Sequence, residues 1–255
     1  PDIKGREEIL RVHAAKKPLG EDVDLKEIAR TTAGYTGADL ENLMNEAAII
    51  TAKDGRFFIN QGDIRQAFIK TGLGAEKKSR VISEKEKKIT AYHEAGHAIL
   101  FHLLPEMGPV HTISIIPTGM GAAGYTMPLP EQDEMFNSKK KMLENIVVDL
   151  GGRVAEELIF HDITTGASQD IKQATQMARA MVTQYGMSEK VGMIQYGGDE
   201  DEVFIGRDFG HTKNYADQTA ALIDSEVKRI IDEAYEKAKE ILSQNEEVLH
   251  RCADL

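Results

Sequence analysis

Cysteine is almost absent from this chain: among 255 residues only Cys252, near the C-terminus, carries a thiol. A lone cysteine excludes any disulfide within the chain and fits a reducing compartment. Long apolar runs are missing as well. None approaches the ~18–20 residues that a membrane-crossing helix needs. Basic excess is also lacking, with 31 Lys and Arg against 42 Asp and Glu and a formal net charge of −11. That balance argues against a general nucleic-acid binder, which needs surplus positive charge. The opening Pro1-Asp2-Ile3-Lys4-Gly5-Arg6 is polar, so no signal peptide is expected. It also lacks an initiating Met, and we expect the chain to be a piece of a longer one. What remains is ordinary for a soluble globular protein: 41% of residues are hydrophobic. The length suffices for one large or two modest domains with real cores.

One pentapeptide organises the rest: His93-Glu94-Ala95-Gly96-His97. Ser83 followed by Glu86 is a capping-box start, and Pro105 is a stop. Between them Ile89, Tyr92, Gly96, Leu100 and Leu103 recur at helical spacing. His93 and His97 therefore lie at i and i+4 of one helix, on one face. Two imidazoles so placed reach one small cation, and Zn²⁺ suits them at about 2.0–2.1 Å while leaving room for water. Glu94, rotated roughly 100° from His93, falls beside the metal rather than on it. There it can take a proton from water. The bland alternative is a helix whose two His pack in a core or face solvent. The capped start and apolar neighbours favour the metal.

Along the chain, residues 1–71 read as four short helices. Gly5 to His13 carries Ile9, Leu10 and Val12. Asp24 caps a segment to Arg30 with Leu25, Ile28 and Ala29 inward. Gly37 opens a longer helix through Leu43, Ala47, Ala48 and Ile50, ending near Gly55. Asp63 to Lys70 follows with Ile64, Ala67 and Phe68 inward. Residues 72–82 read as a linker, glycine- and charge-rich. Gly72 to Arg80 superficially resembles a phosphate loop, but the position five beyond Gly72 is Lys77 and no strand precedes it. His111 to Ile116 alternates as a strand, and Ala122 to Met127 as its hairpin partner. Gly119, Gly121 and Gly124 match G-x-G-x-x-G, yet Pro128 and Pro130 forbid the helix a dinucleotide site requires. An extended peptide could instead add to the hairpin edge.

Ser138 to Phe160 is helical, with Met142, Ile146, Val147 and Leu150 on one side. Gly151-Gly152 marks a close approach or a bend. Ser168 is a plausible cap for a helix carrying Ile171, Ala174, Met177, Ala178, Met181 and Tyr185 to Gly186, which places Asp170 in its first turn. Asp170, Glu156 and Glu157 are all candidates for a third metal ligand; the alternatives are a dipole-complementing Asp and surface acids. Gly197 to Glu202 is an acidic surface loop. Asn214 to Ser243 is a long amphipathic helix in the core, or else in a subunit contact.

These residues together resemble the C-terminal half of the FtsH family of membrane-anchored, ATP-dependent zinc proteases. Pro1-Asp2, Gly5-Arg6, Ile9-Leu10, His13, Pro18-Leu19, Asp22-Val23-Asp24-Leu25 and Tyr35-Thr36-Gly37-Ala38-Asp39-Leu40 look like the helical lid of its ATPase module. Ile89 to His97, Gly124-Tyr125-Thr126, Leu150-Gly151-Gly152-Arg153 with Ala155-Glu156-Glu157, and Thr165-Gly166-Ala167-Ser168 with Asp170 look like its peptidase domain. The resemblance implies a mainly α fold: a four-helix AAA lid over 1–76, then a mostly helical zinc peptidase domain over 80–255 with a small β-hairpin. It assigns Asp170 as the third zinc ligand. It places His13, Gly37 and Ala38 on the adenine side of a nucleotide pocket. ATP and Mg²⁺ would bind only with the ATPase core that precedes Pro1 in the family.

The implied activity is zinc-dependent endoproteolysis of unfolded or misfolded polypeptides, membrane proteins included, held extended along Ala122, Ala123, Gly124 and Tyr125. Zn²⁺ would sit on His93, His97 and Asp170, with Glu94 as base. The implied assembly is a homohexamer anchored by earlier membrane spans, with this part on the cytoplasmic face, most naturally of a bacterial inner membrane, and no nucleic acid involved. The competing expectation is a non-catalytic assembly or chaperone platform with a structural His pair, against which the acid at Glu94 speaks.

Overall fold

The computed structural model describes residues 1–73, 82–117, 123–128, 136–196 and 216–255. The described chain is mainly helical and divides into two compact units, Pro1–Thr90 with Gly108–Phe136 and Ala91–Met107 with Asn137–Leu255. Most of the linker and the acidic loop 197–202 lie outside the described residues, as do Gly119, Gly121 and Ala122.

The first unit begins with α1 (Ile3–Ala14), α2 (Leu25–Thr31), α3 (Gly37–Lys53) and α4 (Gln61–Leu73). Short polar side chains start three of them. Asp2 accepts the Gly5 N–H at 2.7 Å and Asp24 accepts those of Lys26 and Glu27. Thr36 and Asp39 exchange bonds in a full capping box. Leu10, Ile28, Leu40, Leu43, Met44 and Ala67 close the core. Val12, named beside Ile9 and Leu10 in the sequence, is 70% exposed, while Leu10 and Ala14 form the packed stripe one turn apart. The strands β1 (Val110–Ser114) and β2 (Tyr125–Pro128) pair antiparallel, Ser114 opposite Tyr125 and Ile113 opposite Thr126. The second strand thus starts at Tyr125; Ala123 and Gly124 precede it rather than belonging to it.

Helix α5 (Glu84–Leu103) opens on the expected capping box: Glu86 N–H donates to Ser83 Oγ at 3.2 Å and Ser83 N–H to the Glu86 carboxylate at 3.1 Å. Its segment from Ala91 on belongs to the second unit, together with α6 (Lys139–Phe160), α7 (Ser168–Thr183), α8 (Asp217–Gln244) and α9 (Glu246–Ala253). A 3-10 turn, Thr165–Ala167, leads into α7. α5 and α6 meet backbone to backbone. A Cβ on Gly96 would lie 2.5 Å from the Gly151 carbonyl oxygen, and one on Gly151 would lie 2.6 Å from Leu100 Cδ1. Gly151 is therefore the site of a close approach, one of the two expectations for this pair.

Around that crossing Tyr92, Leu100, Ile146 and Val154 pack with Ala178 of α7 and Ile223 of α8. Leu103, Ile171 and Tyr185 recur at helical spacing, yet none of them is buried. Leu103 is 44% exposed and Leu104 takes its place at 7%; a 3.6-residue period allows either i+3 or i+4 after Leu100. Ile171, in the first turn of α7, and Tyr185, two residues past its end, are exposed. α9 returns to α5, where Tyr92 Oη meets His250 Nδ1 at 2.7 Å.

Candidate metal centre

The i, i+4 spacing does what helix geometry requires. His93 and His97 bring their Nε2 atoms to 3.2 Å of one another. Asp170, in the first turn of α7, reaches them from 77 residues along the chain: its Oδ2 is 3.2 Å from His93 Nε2 and 3.9 Å from His97 Nε2. Among the described residues this trio is the one group of acids, His or Cys clustered tightly enough to hold a metal ion.

The outer nitrogens set the ring tautomers. His97 Nδ1–H donates to the Val148 carbonyl oxygen at 2.7 Å, which accepts only. His93 Nδ1–H donates to Glu156 Oε1 at 2.7 Å. In the neutral form, both rings therefore spend their Nδ1 protons outward and turn Nε2 lone pairs inward, against a carboxylate oxygen. Three acceptors converging at such distances repel one another unless a cation lies among them. A tetrahedral zinc with bonds of about 2.0–2.1 Å separates its ligand atoms by ~3.3 Å, close to the spacings here. The donor set of two imidazoles and one carboxylate fits an open catalytic zinc site.

The protonation pattern speaks the same way. Burial opposes a charge on His93, but Asp170, Glu156 and Glu94 outweigh it and raise its pKa to about 9. Burial and the neighbouring His93 charge press His97 down to about 4. Burial pushes the Asp170 and Glu156 carboxyls upward, yet their hydrogen bonds to His93 hold both below the ordinary carboxylate range. Without metal the cluster thus draws one positive charge into its centre.

Glu156 and Glu157 stand in different positions from Asp170. Glu156 is fully buried, but it grips the outer nitrogen of His93 and, through Oε2, the Thr164 N–H at 2.8 Å. It orients a ring rather than facing the shared centre, a partner arrangement common to metal-binding His. Glu157 pairs with Lys239 at 2.9 Å and stands apart. Ser168 does not cap α7. The cap position is Ala167, with no side-chain bond, because the preceding 3-10 turn is itself started by Thr164, whose Oγ1 accepts the Gly166 N–H at 3.0 Å. Glu94 is 6% exposed on the same helical turn as His93.

Two contributors escaped the sequence reading, and a third, Gly152, was expected only as part of a close approach or a bend. Gly152 lies under the His93 ring: a Cβ there would sit 2.6 Å from Cδ2 and nearer still to Nε2 and Cε1. The Val148 carbonyl has no side-chain signal at all. Asp149, beside Asp170, is raised to about 7 by burial and that neighbouring charge; only its place one turn before Arg153 hinted at a role. Of the residues expected at a nucleotide, His13 ends α1 half-buried, while Gly37 and Ala38 open α3, with Gly37 facing Ile9 of α1. Of those expected at substrate, Gly124 and Tyr125 are buried, Ala123 is exposed and Ala122 is outside the described residues.

Comparison with known proteins agrees with this geometry. Peptidase family M41 matches residues 80–255, and the AAA+ lid domain family matches residues 22–66. An ATP-dependent zinc metalloprotease FtsH of Caldicellulosiruptor bescii is 57% identical over 254 residues, 100% of this chain and 41% of that protein. A second, FtsH 1 of Thermoanaerobacter sp., is 54% identical over 99% of this chain and 41% of its own length. A third, from Pseudothermotoga lettingae, is 49% identical over 100% and 41%. The chain spans about two fifths of the length of these relatives. On the family match, which covers well over half of its residues, the chain belongs to peptidase family M41 and carries an AAA+ lid segment ahead of the peptidase part.

Proposed function

We propose that this chain is the lid and peptidase portion of an ATP-dependent zinc endopeptidase that cleaves unfolded polypeptides. In this reading residues 1–76 form the lid and residues 80–255 the peptidase domain. The observation that carries it is the convergence of His93 Nε2, His97 Nε2 and Asp170 Oδ2, with both Nδ1 protons turned outward.

Those three atoms hold the metal. Glu156 and the Val148 carbonyl keep the two rings from rotating, and Gly152 leaves the His93 ring room. A bound zinc lowers the pKa of water to ~7 and polarises a carbonyl oxygen. Glu94, next to His93 on the helix and outside the ligand trio, accepts the proton of the attacking water on its carboxylate. It then delivers that proton to the amide nitrogen as the C–N bond breaks, so hydroxyl ends on carbon and hydrogen on the amine. Residues 122–125 would hold substrate extended. Backbone hydrogen bonding there supports a loose sequence preference.

The likeness to the FtsH family extends the proposal to a homohexamer, anchored in a membrane by segments outside this chain and facing the cytoplasm. Its nucleotide would lie against His13, Gly37 and Ala38, supplied with phosphate-binding groups by an ATPase core. No helix among the described residues is long and apolar enough to cross a membrane. Glu94→Gln is the test: zinc content should stay near native while casein cleavage falls by about 10²–10⁴-fold, the usual worth of a general base. Undiminished cleavage by the purified variant would count directly against this mechanism.

A further inference from the structure

Thr164 is held at both of its backbone polar groups by side chains of α6. Its N–H donates to Glu156 Oε2 at 2.8 Å, and its carbonyl accepts from Arg153 Nη2 at 2.9 Å. From that double grip the route to the carboxylate ligand is short and stiff. Thr164 starts the 3-10 turn, the turn runs straight into α7, and Asp170 lies in the first turn of α7. No side chain caps α7, so the start of the helix is placed by what holds Thr164.

Arg153 accepts a cost to make this contact. Asp149 lies at i−4 on the same helix, a spacing at which acid and guanidinium ordinarily pair. They do not pair here. Among the described residues, the buried side-chain polar atoms without a partner are Asp149 Oδ2 and Arg153 Nε. Buried orphans of this kind call for a reason. No carboxylate pairs with Arg153 among the described residues, so its one hydrogen bond goes to a neutral carbonyl in the loop before the ligand.

We infer that Arg153 is a positioning residue for the metal site: it fixes the Thr164 carbonyl and thereby the placing of Asp170. The inference rests on the reading of His93, His97 and Asp170 as the zinc ligands. Glu156 fixes one side of Thr164 and one imidazole; Arg153 fixes the other side and, through α7, the carboxylate. The planar guanidinium suits the task because its donors keep a fixed fork geometry.

The test compares zinc dissociation constants, by chelator competition on the intact protein, for the native chain, Arg153→Gln, Arg153→Lys and Asp170→Asn. Loss of a partner that orients a metal ligand weakens binding by about 10–100-fold. Arg153→Gln should fall in that range, and Arg153→Lys, which keeps a donor within reach of the carbonyl, should lose less. The visible spectrum of each protein at saturating cobalt is the second readout. A variant that is only less stable keeps the native spectrum, whereas a displaced carboxylate alters it. Should Arg153→Gln not fold, the Arg153→Lys spectrum decides. Native affinity and a native cobalt spectrum in the Arg153 variants, with Asp170→Asn weakened, would overturn the positioning role and leave the ligand set standing. An Asp170→Asn protein that binds zinc as tightly as the native one would overturn the ligand set itself, and the inference with it.

Discussion

Gly152→Ala is the sharpest perturbation the candidate metal centre allows, because a single methyl group would be driven against the nitrogen proposed to bind metal. The new Cβ would stand 2.6 Å from His93 Cδ2 and closer to Nε2, where carbon atoms ordinarily rest about 3.5–4.0 Å apart. Roughly 1 Å must open. The backbone cannot supply it cheaply: next door, Gly151 already meets Gly96 so closely that a Cβ on either would be 3.0 Å or less from the other's carbonyl oxygen. The ring cannot supply it freely either, since Nδ1 is tied to Glu156 at 2.7 Å.

Two costs compete. Separating the helices is overpacking, about 1–3 kcal/mol. Swinging the ring breaks a hydrogen bond to a charged group, about 1.5–3 kcal/mol, and moves a ligand. Against either stands the gain of about 0.5–1 kcal/mol that Ala brings to a helix interior. The protein should therefore lose roughly 1–2 kcal/mol in thermal or denaturant unfolding. Zinc affinity should fall at least 10-fold, as when an orienting partner is lost. Casein cleavage at saturating zinc should fall by about 100-fold, the expected effect of a 1 Å misplacement. A Gly152→Ala protein that is more stable than native and keeps its zinc affinity would refute the reasoning, since it would mean that the methyl group fits and only helix propensity is felt.

Other predictions concern protons and buried charge. The Asp149 carboxyl is raised to about 7 in the fold, so the folded state holds a proton that the unfolded chain releases near 4. Measured against Asp149→Asn, which cancels the opposing contribution of the lowered His97, the chelator-treated native protein should therefore lose stability as pH rises from about 4 to 7, and the variant should be the more stable of the two above pH 7. Glu226 behaves oppositely: Arg229 first, then Ser188 and Lys190, hold it down at about 2. Its contribution is complete above the ordinary carboxylate pKa and is lost as pH falls toward 2. Glu226→Gln should cost about 1–3 kcal/mol at pH 7 and flatten the acid limb of a pH–stability curve; an unchanged limb would refute this. Asp63, buried and bonded by Arg56, Asn60 and Thr51, is also lowered to about 2. Asp63→Ala should destabilise the first unit by about 1–3 kcal/mol, as loss of hydrogen bonds to a charged group does, readable as a loss of hydrogen-exchange protection in α3 and α4.

What could be read from the residues was what local geometry fixes. An i, i+4 His pair lies on one face whatever surrounds it. Ser83 with Glu86 caps a helix by contacts within four residues, and both features stand as expected. The third ligand was different in kind. From sequence geometry Asp170, Glu156 and Glu157 were equivalent, each an acid on a helical segment far from the His pair. What separates them is where α6 and α7 carry them across the His-bearing helix, and that depends on packing. Glu156 sits one turn after Gly152, whose missing side chain admits the His93 ring, so its carboxylate meets the outer nitrogen. Asp170 arrives from the far side of Thr164 and meets the inner one. The failed cap at Ser168 has the same origin, since the loop held by Glu156 and Arg153 already satisfies the start of the turn upstream. The glycine pair that looked like a bend or a close approach is thus central to the chemistry. Gly151 lets two helices touch, Gly152 lets an imidazole lie on the second of them, and the carboxylate one turn later can then choose the outer face of that ring, leaving the inner face to the metal.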